Sequence, residues 1–283
     1  MRVGRLAALL LAGVFVAGGC ANNTGDRHPE LVVGSRPDSE STLLAAIYVA
    51  ALRSYGFGAR GETGADPMAM LDSGGFTIVP GFTGKVLQIL QPGAAVLSAV
   101  RVYRAMVSAL PEGIAAGDYT TAAEDKPTLV VTSGTAKAWS GSDLSLVPSH
   151  CNGLVVGIVA GTHTPSAVGS CRLPAAREFP DYSTMFAALR AGQLTAGWTT
   201  TANPDLLADL IVLADGKVTL IQAENVVPLY RRNVLTDRQM LAINEVAGVL
   251  DTAALIEMRR QVARGADSQA IADRWLAEHP LGR

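Results

Sequence analysis

Apolar and polar positions change period along the first part of the chain, and this pattern predicts strands and helices in turn. Residues 31–33 form a short apolar run typical of a buried strand, and the helix that follows is capped by Asp38 or Ser39. Because parallel strands need crossover connections, the alternation favours a parallel sheet with helices on its faces. The predicted elements are strands at 31–33, 58–63 and 76–79, helices at 40–54 and 67–71, and a helix that begins near Lys85.

The alternation continues and predicts a second α/β unit followed by a helical C-terminal part. The chain of 283 residues is long enough for two lobes. The fold class we expect is therefore α/β. The further predicted elements are strands at 128–132, 154–159, 194–199, 210–213 and 226–229, helices at 94–110, 183–191, 237–250, 252–264 and 268–278, and a helix that starts at Asn203 and Pro204.

The segment 76–84 joins a predicted strand to a predicted helix and is our first candidate for a binding loop. Pro80 and Gly81 end the apolar run, and Thr83 with Gly84 is predicted to cap the next helix. In open α/β sheets, ligands lie beyond the carboxyl ends of the strands, where helix N-terminal amides attract polar groups. Phe82 and Thr83 are therefore expected to contact a ligand, although an ordinary strand-to-helix turn has the same pattern.

The first residues have the pattern of an export signal. Arg2 and Arg5 precede an apolar run at 6–16, and small residues lead to Cys20. Residues 16–20 resemble the bacterial lipobox, which predicts a lipoprotein signal peptide at 1–20, a lipid on Cys20 and a polar tether at 21–30. The protein is then expected on the extracytoplasmic face of the cell membrane, held by its lipid. A plain secretory signal with an incidental cysteine is the alternative.

Two further cysteines are present, Cys151 and Cys171, and an oxidising compartment favours a disulfide between them. The alternative is a metal site, because His150 adjoins one cysteine and His163 lies between the two. No C-x-x-C or H-x-x-x-H spacing supports a closed zinc site, so the sequence predicts no metal.

Composition and motifs argue for a binding protein. A net charge of −2 with 17% charged residues argues against nucleic-acid binding. The sequence lacks the common hydrolase, nucleotide-binding and metalloprotease motifs, and it predicts no cofactor. His150 and His163 are the only plausible catalytic bases, and an exported hydrolase that uses one of them is a less favoured hypothesis.

Several segments resemble, in order, the substrate-binding proteins of ABC importers for glycine betaine, choline and related osmoprotectants. The opening Leu-Val-Val-Gly-Ser at 31–35 is similar to theirs, and Val-Pro-Gly-Phe-Thr-Gly at 79–84 matches a motif that usually contains Pro-Glu-Tyr-Thr-Gly. Similar segments occur at 110–113, 129–132, 199–204 and 224–228, and Cys151 and Cys171 lie where the family has a matching segment.

The resemblance implies a two-lobed periplasmic-binding-protein-like fold of type II with a ligand cleft between the lobes. Lobe 1 is expected to comprise 31–126 and 225–283, and lobe 2 to comprise 127–224. The implied function is delivery of a small solute to the permease and ATPase subunits of an ABC importer; a sensor or scaffold lipoprotein of the same fold is the alternative. The ligand-binding residues expected are Ser35, Arg36, Asp38, Ser39, Ser41, Phe82, Thr83, Tyr119, Thr200, Thr201, Glu224 and Asn225.

The chain departs from that family where ligand charge is recognised. Quaternary ammonium ions are held by aromatic ring faces. Here Phe82, Thr200 and Glu224 occupy positions where aromatics are expected, and only 5% of residues are aromatic. Tyr103 and Trp198 fit core positions. We therefore expect weak betaine binding and favour a plain cation or a neutral hydroxylated solute.

Overall fold

The computed structural model describes residues 30–282, so the predicted signal peptide, Cys20 and nearly all of the tether lie outside the described residues. The described helices and strands follow the chain in alternation. The strands are β1 Leu31–Ser35, β2 Ala59–Thr63, β3 Ile78–Phe82, β4 Ile114–Ala116, β5 Pro127–Thr132, β6 Val156–Val159, β7 Ala167–Val168, β8 Cys171–Arg172, β9 Arg177–Phe179, β10 Ala196–Thr200, β11 Leu210–Val212 and β12 Val226–Arg231. The helices are α1 Ser39–Ser54, α2 Pro67–Ser73, α3 Thr83–Leu90, α4 Ala99–Ala109, α5 Ser133–Ala138, α6 Tyr182–Arg190, α7 Asp237–Val249, α8 Thr252–Ala263 and α9 Ser268–Glu278, with a 3-10 helix at Leu144–His150.

Two five-stranded sheets organise the chain. The first has the order β2-β1-β3-β12-β4 and the second the order β11-β5-β10-β6-β9. The expected parallel sheet is only partly present, because β12 runs antiparallel to β3 and β4, and β10 runs antiparallel to β5. β5 and β12 are the strands that enter each sheet from the other one, and their opposite direction gives mixed sheets in place of parallel ones.

The chain passes between the sheets in two segments that lie side by side. Asp125 N donates to Glu224 O at 2.9 Å, and Glu124 pairs with Asn225 in an isolated antiparallel bridge. We call residues 123–126 and 223–225 the crossing segments. Their mutual hydrogen bonds hold them together where the chain passes from one sheet to the other.

Helices cover both faces of the first sheet. α1 buries every residue from 43 to 52 and packs against α7, α8 and α9, which its alanines allow at close range. α2, α3 and α4 cover the opposite face around Phe76 and Met106. In the second sheet Trp198 is 3% exposed and packs in the core, in agreement with the alternation of β10.

Element boundaries differ from the predictions where side chains make unexpected contacts. β3 continues through Pro80 to Phe82, because Pro80 faces Pro228 across the β3–β12 pair and neither position needs an N–H for that pair. The predicted helix after Asn203 is wrong. The Asn203 side chain accepts from Asp205 N at 2.8 Å and donates to Thr199 Oγ1 at 2.9 Å, which fixes a turn there.

The predicted disulfide is present, with Cys151 and Cys171 bonded and their Cα atoms 5.5 Å apart. Cys171 is 1% exposed and belongs to the core of the second sheet. Within residues 30–282, no single helix has the length and apolar composition to cross a membrane. α7 and α8 have that length and composition only when they are taken together, and the pair is bent by 97°.

Candidate ligand-binding site

A cavity of about 290 Å³ lies at the carboxyl ends of β1 and β3, where α1 and α3 begin. This edge of the sheet is the usual place for a ligand in α/β folds. One wall is polar and the rest is largely apolar. The polar wall is formed by Ser35, Arg36, Glu40, Ser41 and Lys85 with the ring of Phe82 among them, and the apolar wall includes Pro67, Met68, Val86 and Ile89.

Four of the predicted residues, Ser35, Arg36, Ser41 and Phe82, line this cavity. Asp38 supports them. It caps α1 by accepting from Ser41 N at 2.8 Å, and Arg36 Nε donates to it at 3.2 Å. Partial burial by itself would raise the pKa of Asp38, but the Ser41 hydrogen bonds and the Arg36 charge lower it below its ordinary value. Ser39 is the first residue of α1 and does not line the cavity.

Thr83 and Asn225 do not line the cavity, and they hold the β3–α3 turn to a crossing segment. Thr83 is fully buried. Its Oγ1 accepts from Asn225 N at 3.1 Å and donates to Ala223 O at 3.4 Å, while Thr83 N donates to Asn225 O at 2.9 Å. These contacts give Thr83 a structural role, and it is the first residue of α3, not its cap.

Glu224 caps α3 from a distance. The N-cap position is Phe82, which has no side-chain acceptor, and Glu224 Oε2 accepts from Lys85 N at 2.8 Å instead. Burial raises the pKa of Glu224 to about 7, and the Lys85 and Gly84 N–H groups with the Lys85 charge limit the rise. The carboxylate is therefore directed at the helix and not at the cavity.

The remaining predicted residues lie outside the cavity. Tyr119 packs against Tyr103, with ring centroids 4.8 Å apart, and lines a separate groove beside α7. Thr200 is half-buried at the end of β10. Thr201 Oγ1 donates to Glu124 O and accepts from Lys126 N, both at 3.1 Å, which fastens the end of β10 to a crossing segment.

Sequence reasoning missed a charged cluster beside the cavity. Glu40 Oε1 accepts from Lys85 Nζ at 3.0 Å and pairs with Arg259 Nη2 at 3.4 Å. Arg259 also binds Asp125 Oδ2 and Ala202 O through Nη1, both at 3.0 Å. An acidic residue in the first turn of α1 was visible in the sequence, but no local signal connects it to an arginine on α8.

His150 and His163 do not line the cavity. His150 stacks on Trp139 with centroids 4.6 Å apart, and its Nδ1 lies 3.0 Å from Leu146 O. His163 is exposed in the loop after β6. In the part of the chain that the structure describes, no group of three or more His, Cys, Asp or Glu side chains is arranged to hold a metal ion.

Solved structures share this fold. Apo YehZ from Escherichia coli is 17% identical with a TM-score of 0.70, covering 89% of this chain and 99% of that one. A glycine betaine/carnitine/choline ABC transporter protein is 14% identical with a TM-score of 0.74, covering 88% and 98%. A choline-binding protein of an ABC transporter, in complex with choline, is 14% identical with a TM-score of 0.53, covering 89% of each. At these identities the likeness shows the fold alone, which is that of type II periplasmic binding proteins.

No curated protein sequence matches the chain. A family model does, and it covers residues 29–278, nearly all of the chain beyond the predicted tether. Its description is the substrate-binding domain of an ABC-type glycine betaine transport system. The chain therefore belongs to this family of extracytoplasmic substrate-binding proteins, whose members bind small solutes for ABC importers and interact with the permease.

Proposed function

We propose that the protein is a lipid-anchored solute receptor that closes two lobes, 31–126 with 225–283 and 127–224, around a small hydroxylated solute. It delivers the solute to the permease and catalyses no reaction itself. The two adjacent crossing segments support this proposal, because paired connections between lobes are suited to a hinge. Lipid on Cys20 would hold the receptor at the membrane beside its permease.

The polar wall of the cavity carries the proposal about the ligand. Its charges are matched within the protein, since Arg36 pairs with Asp38 and Lys85 pairs with Glu40. A wall of paired charges still offers hydrogen-bond donors and acceptors to hydroxyl groups. It has no net charge that would attract an ionic ligand. The apolar side of the cavity suits the carbon skeleton of such a solute.

Glycine betaine and choline, named for two of the solved relatives, are expected to bind weakly here. Each ring face lost from an ammonium site costs roughly 0.5 to 2 kcal/mol. Phe82 is 3% exposed and Thr200 has no ring, so two contacts fewer predict a loss of about 1 to 4 kcal/mol, or roughly fivefold to a thousandfold in affinity. Of the two solute classes favoured from the sequence, the plain cation is not retained, because the Glu224 carboxylate caps α3 and does not line the cavity.

A thermal-shift series tests the ligand class, since a solute that binds only the folded state raises the melting temperature. The series compares glycine betaine, choline, sorbitol, myo-inositol and trehalose. We expect a neutral hydroxylated compound to raise the melting temperature and the two ammonium compounds to have little effect. Stabilisation by glycine betaine with micromolar affinity in calorimetry would refute the proposed ligand class.

Separate experiments test the anchor and the transport role. Mass spectrometry of the N-terminal peptide from membranes should show a lipid on Cys20. As the control, the Cys20→Ala variant should be released from the membrane. A free Cys20 thiol in the membrane fraction contradicts the anchor.

Deletion of the gene for the protein should abolish cellular uptake of the solute that the thermal-shift series identifies. Unchanged uptake favours a sensor or scaffold instead.

A further inference from the structure

Two cations of the protein itself lie over the ring of Phe82. Lys85 Nζ is 4.5 Å from the ring centroid, and Arg259 Cζ is 5.9 Å from it. Both distances lie within the range of about 6 Å over which a ring face attracts a cation. Because the residue is only 3% exposed, little of its surface is left for another group.

The same two cations share one carboxylate. Glu40 Oε1 is 3.0 Å from Lys85 Nζ and 3.4 Å from Arg259 Nη2. An aromatic face beside a carboxylate is a pair of groups that attracts a quaternary ammonium ion. Here both members of that pair are already engaged with cations of the chain.

The two cations differ in how firmly they are held. The Arg259 side chain is 9% exposed, and its guanidinium binds Asp125 and Ala202 O. The Lys85 side chain is 47% exposed and lines the cavity. Among residues 30–282, the one hydrogen-bond acceptor of its ammonium is Glu40. Lys85 is therefore the cation that an incoming solute meets.

We propose that Lys85 is a specificity-determining residue, whose ammonium fills the cation position between Phe82 and Glu40 and so excludes quaternary ammonium solutes. The inference rests on the proposed solute-binding function and adds the group that sets the ligand class. Choline would have to displace an ammonium tethered to the cavity wall and would meet its charge at close range. A hydroxyl oxygen, in contrast, accepts a hydrogen bond from the same ammonium.

The variant Lys85→Met tests this, because it keeps an apolar stem and removes the charge while the backbone N–H bound by Glu224 stays. We expect choline affinity, measured by calorimetry, to rise at least about tenfold, because the position that the Lys85 ammonium filled then carries no charge, while Arg259 stays bound to Asp125. Adding Phe82→Leu to Lys85→Met should remove that gain. Lys137→Met, an exposed position on α5, makes the same change in net charge and should leave choline binding as in the wild type.

Two results overturn the inference: wild-type protein that binds choline at micromolar affinity, or a folded Lys85→Met variant whose choline affinity is unchanged. Lys85→Gln provides the same measurement if the methionine variant does not fold. Titrations with sorbitol, myo-inositol and trehalose keep the two proposals apart. Failure of all three to bind the wild type counts against the hydroxylated ligand class, whereas the choline measurements alone decide the role of Lys85.

Discussion

The side chain of Glu224 accepts a hydrogen bond from the backbone N–H of Lys85 at 2.8 Å, across 139 residues of sequence. α3 begins with Phe82 at the N-cap, a residue that has no oxygen for the first free amides. A carboxylate from a crossing segment supplies that acceptor. The helix that forms one wall of the cavity is thereby tied to the connection between the two sheets.

Gly84→Ala should destabilise the protein, because the carboxylate leaves no room for a side chain there. An added Cβ would lie 2.6 Å from Glu224 Oε1 and 2.7 Å from the backbone oxygen of Ala223, which cannot move away cheaply. We expect a loss of about 1 to 3 kcal/mol in the free energy of unfolding, measured with urea. Gly248→Ala on α7 meets nothing within 4 Å and should be neutral or stabilising by up to about 1 kcal/mol. Equal effects of the two substitutions would contradict the close approach.

The stability of the protein should depend on pH through Glu224. Burial raises its pKa from an ordinary 4.5 to about 7, so the folded state binds the proton more tightly than the unfolded state. This contribution is fully present below pH 4.5 and is lost as the pH rises through about 7, with a total on the order of 3 kcal/mol. Glu224→Gln should lack this decline in urea unfolding between pH 4.5 and 8.

The control for that experiment is Glu278→Gln, at an exposed carboxyl on α9, which should follow the wild-type pH profile. The difference in stability between wild type and Glu224→Gln must change with pH. A difference that stays constant over this range would show that the buried carboxyl does not titrate there.

Arg259→Leu should lower the free energy of unfolding more than Arg260→Leu does. Asp125 is 2% exposed, and removal of Arg259 leaves its charge buried without a cation, at a cost of about 3 to 5 kcal/mol. Arg260→Leu loses a hydrogen bond to Pro204 O and an exposed ion pair with Glu257, and should cost about 1 kcal/mol. Asp125→Asn in the Arg259→Leu background should recover part of the loss. Similar urea midpoints for the two arginine variants would exclude a special role for the buried pair.

Local periodicity was sufficient to predict most strands of the first sheet and the helices packed on it. The apolar pattern of elements such as α1 and β2 depends only on residues that are close in the sequence. The Asp38 cap was also visible in the sequence. The predicted helix after Asn203 is wrong, because the side chain of Asn203 accepts a hydrogen bond from Asp205 N and fixes a turn. Glu224 as a cap and Arg259 beside Phe82 could not be predicted, since each acts on a partner far away in the sequence that only the fold brings near.

Replacement of Cys151 and Cys171 by serine should lower stability without changing the fold. The bond closes a loop with a sequence separation of 20, and the loss of that constraint on the unfolded chain is worth about 3 kcal/mol. The measurement is urea unfolding of the double variant beside reduced wild-type protein, and the two should agree. An unchanged midpoint after reduction would mean that the core around Cys171 holds this loop unaided.

β12 lies between β3 and β4 in the first sheet, although it follows the whole second sheet in the sequence. A chain that folded as it was synthesised would therefore expose two unpaired strand edges until residues 226–231 arrived. Such edges are sites of aggregation, and pairing over so long a separation is slow. The first sheet can consequently be completed only after residues 226–231 have been synthesised, and a segment that delays collapse until then would limit aggregation of the unfinished chain.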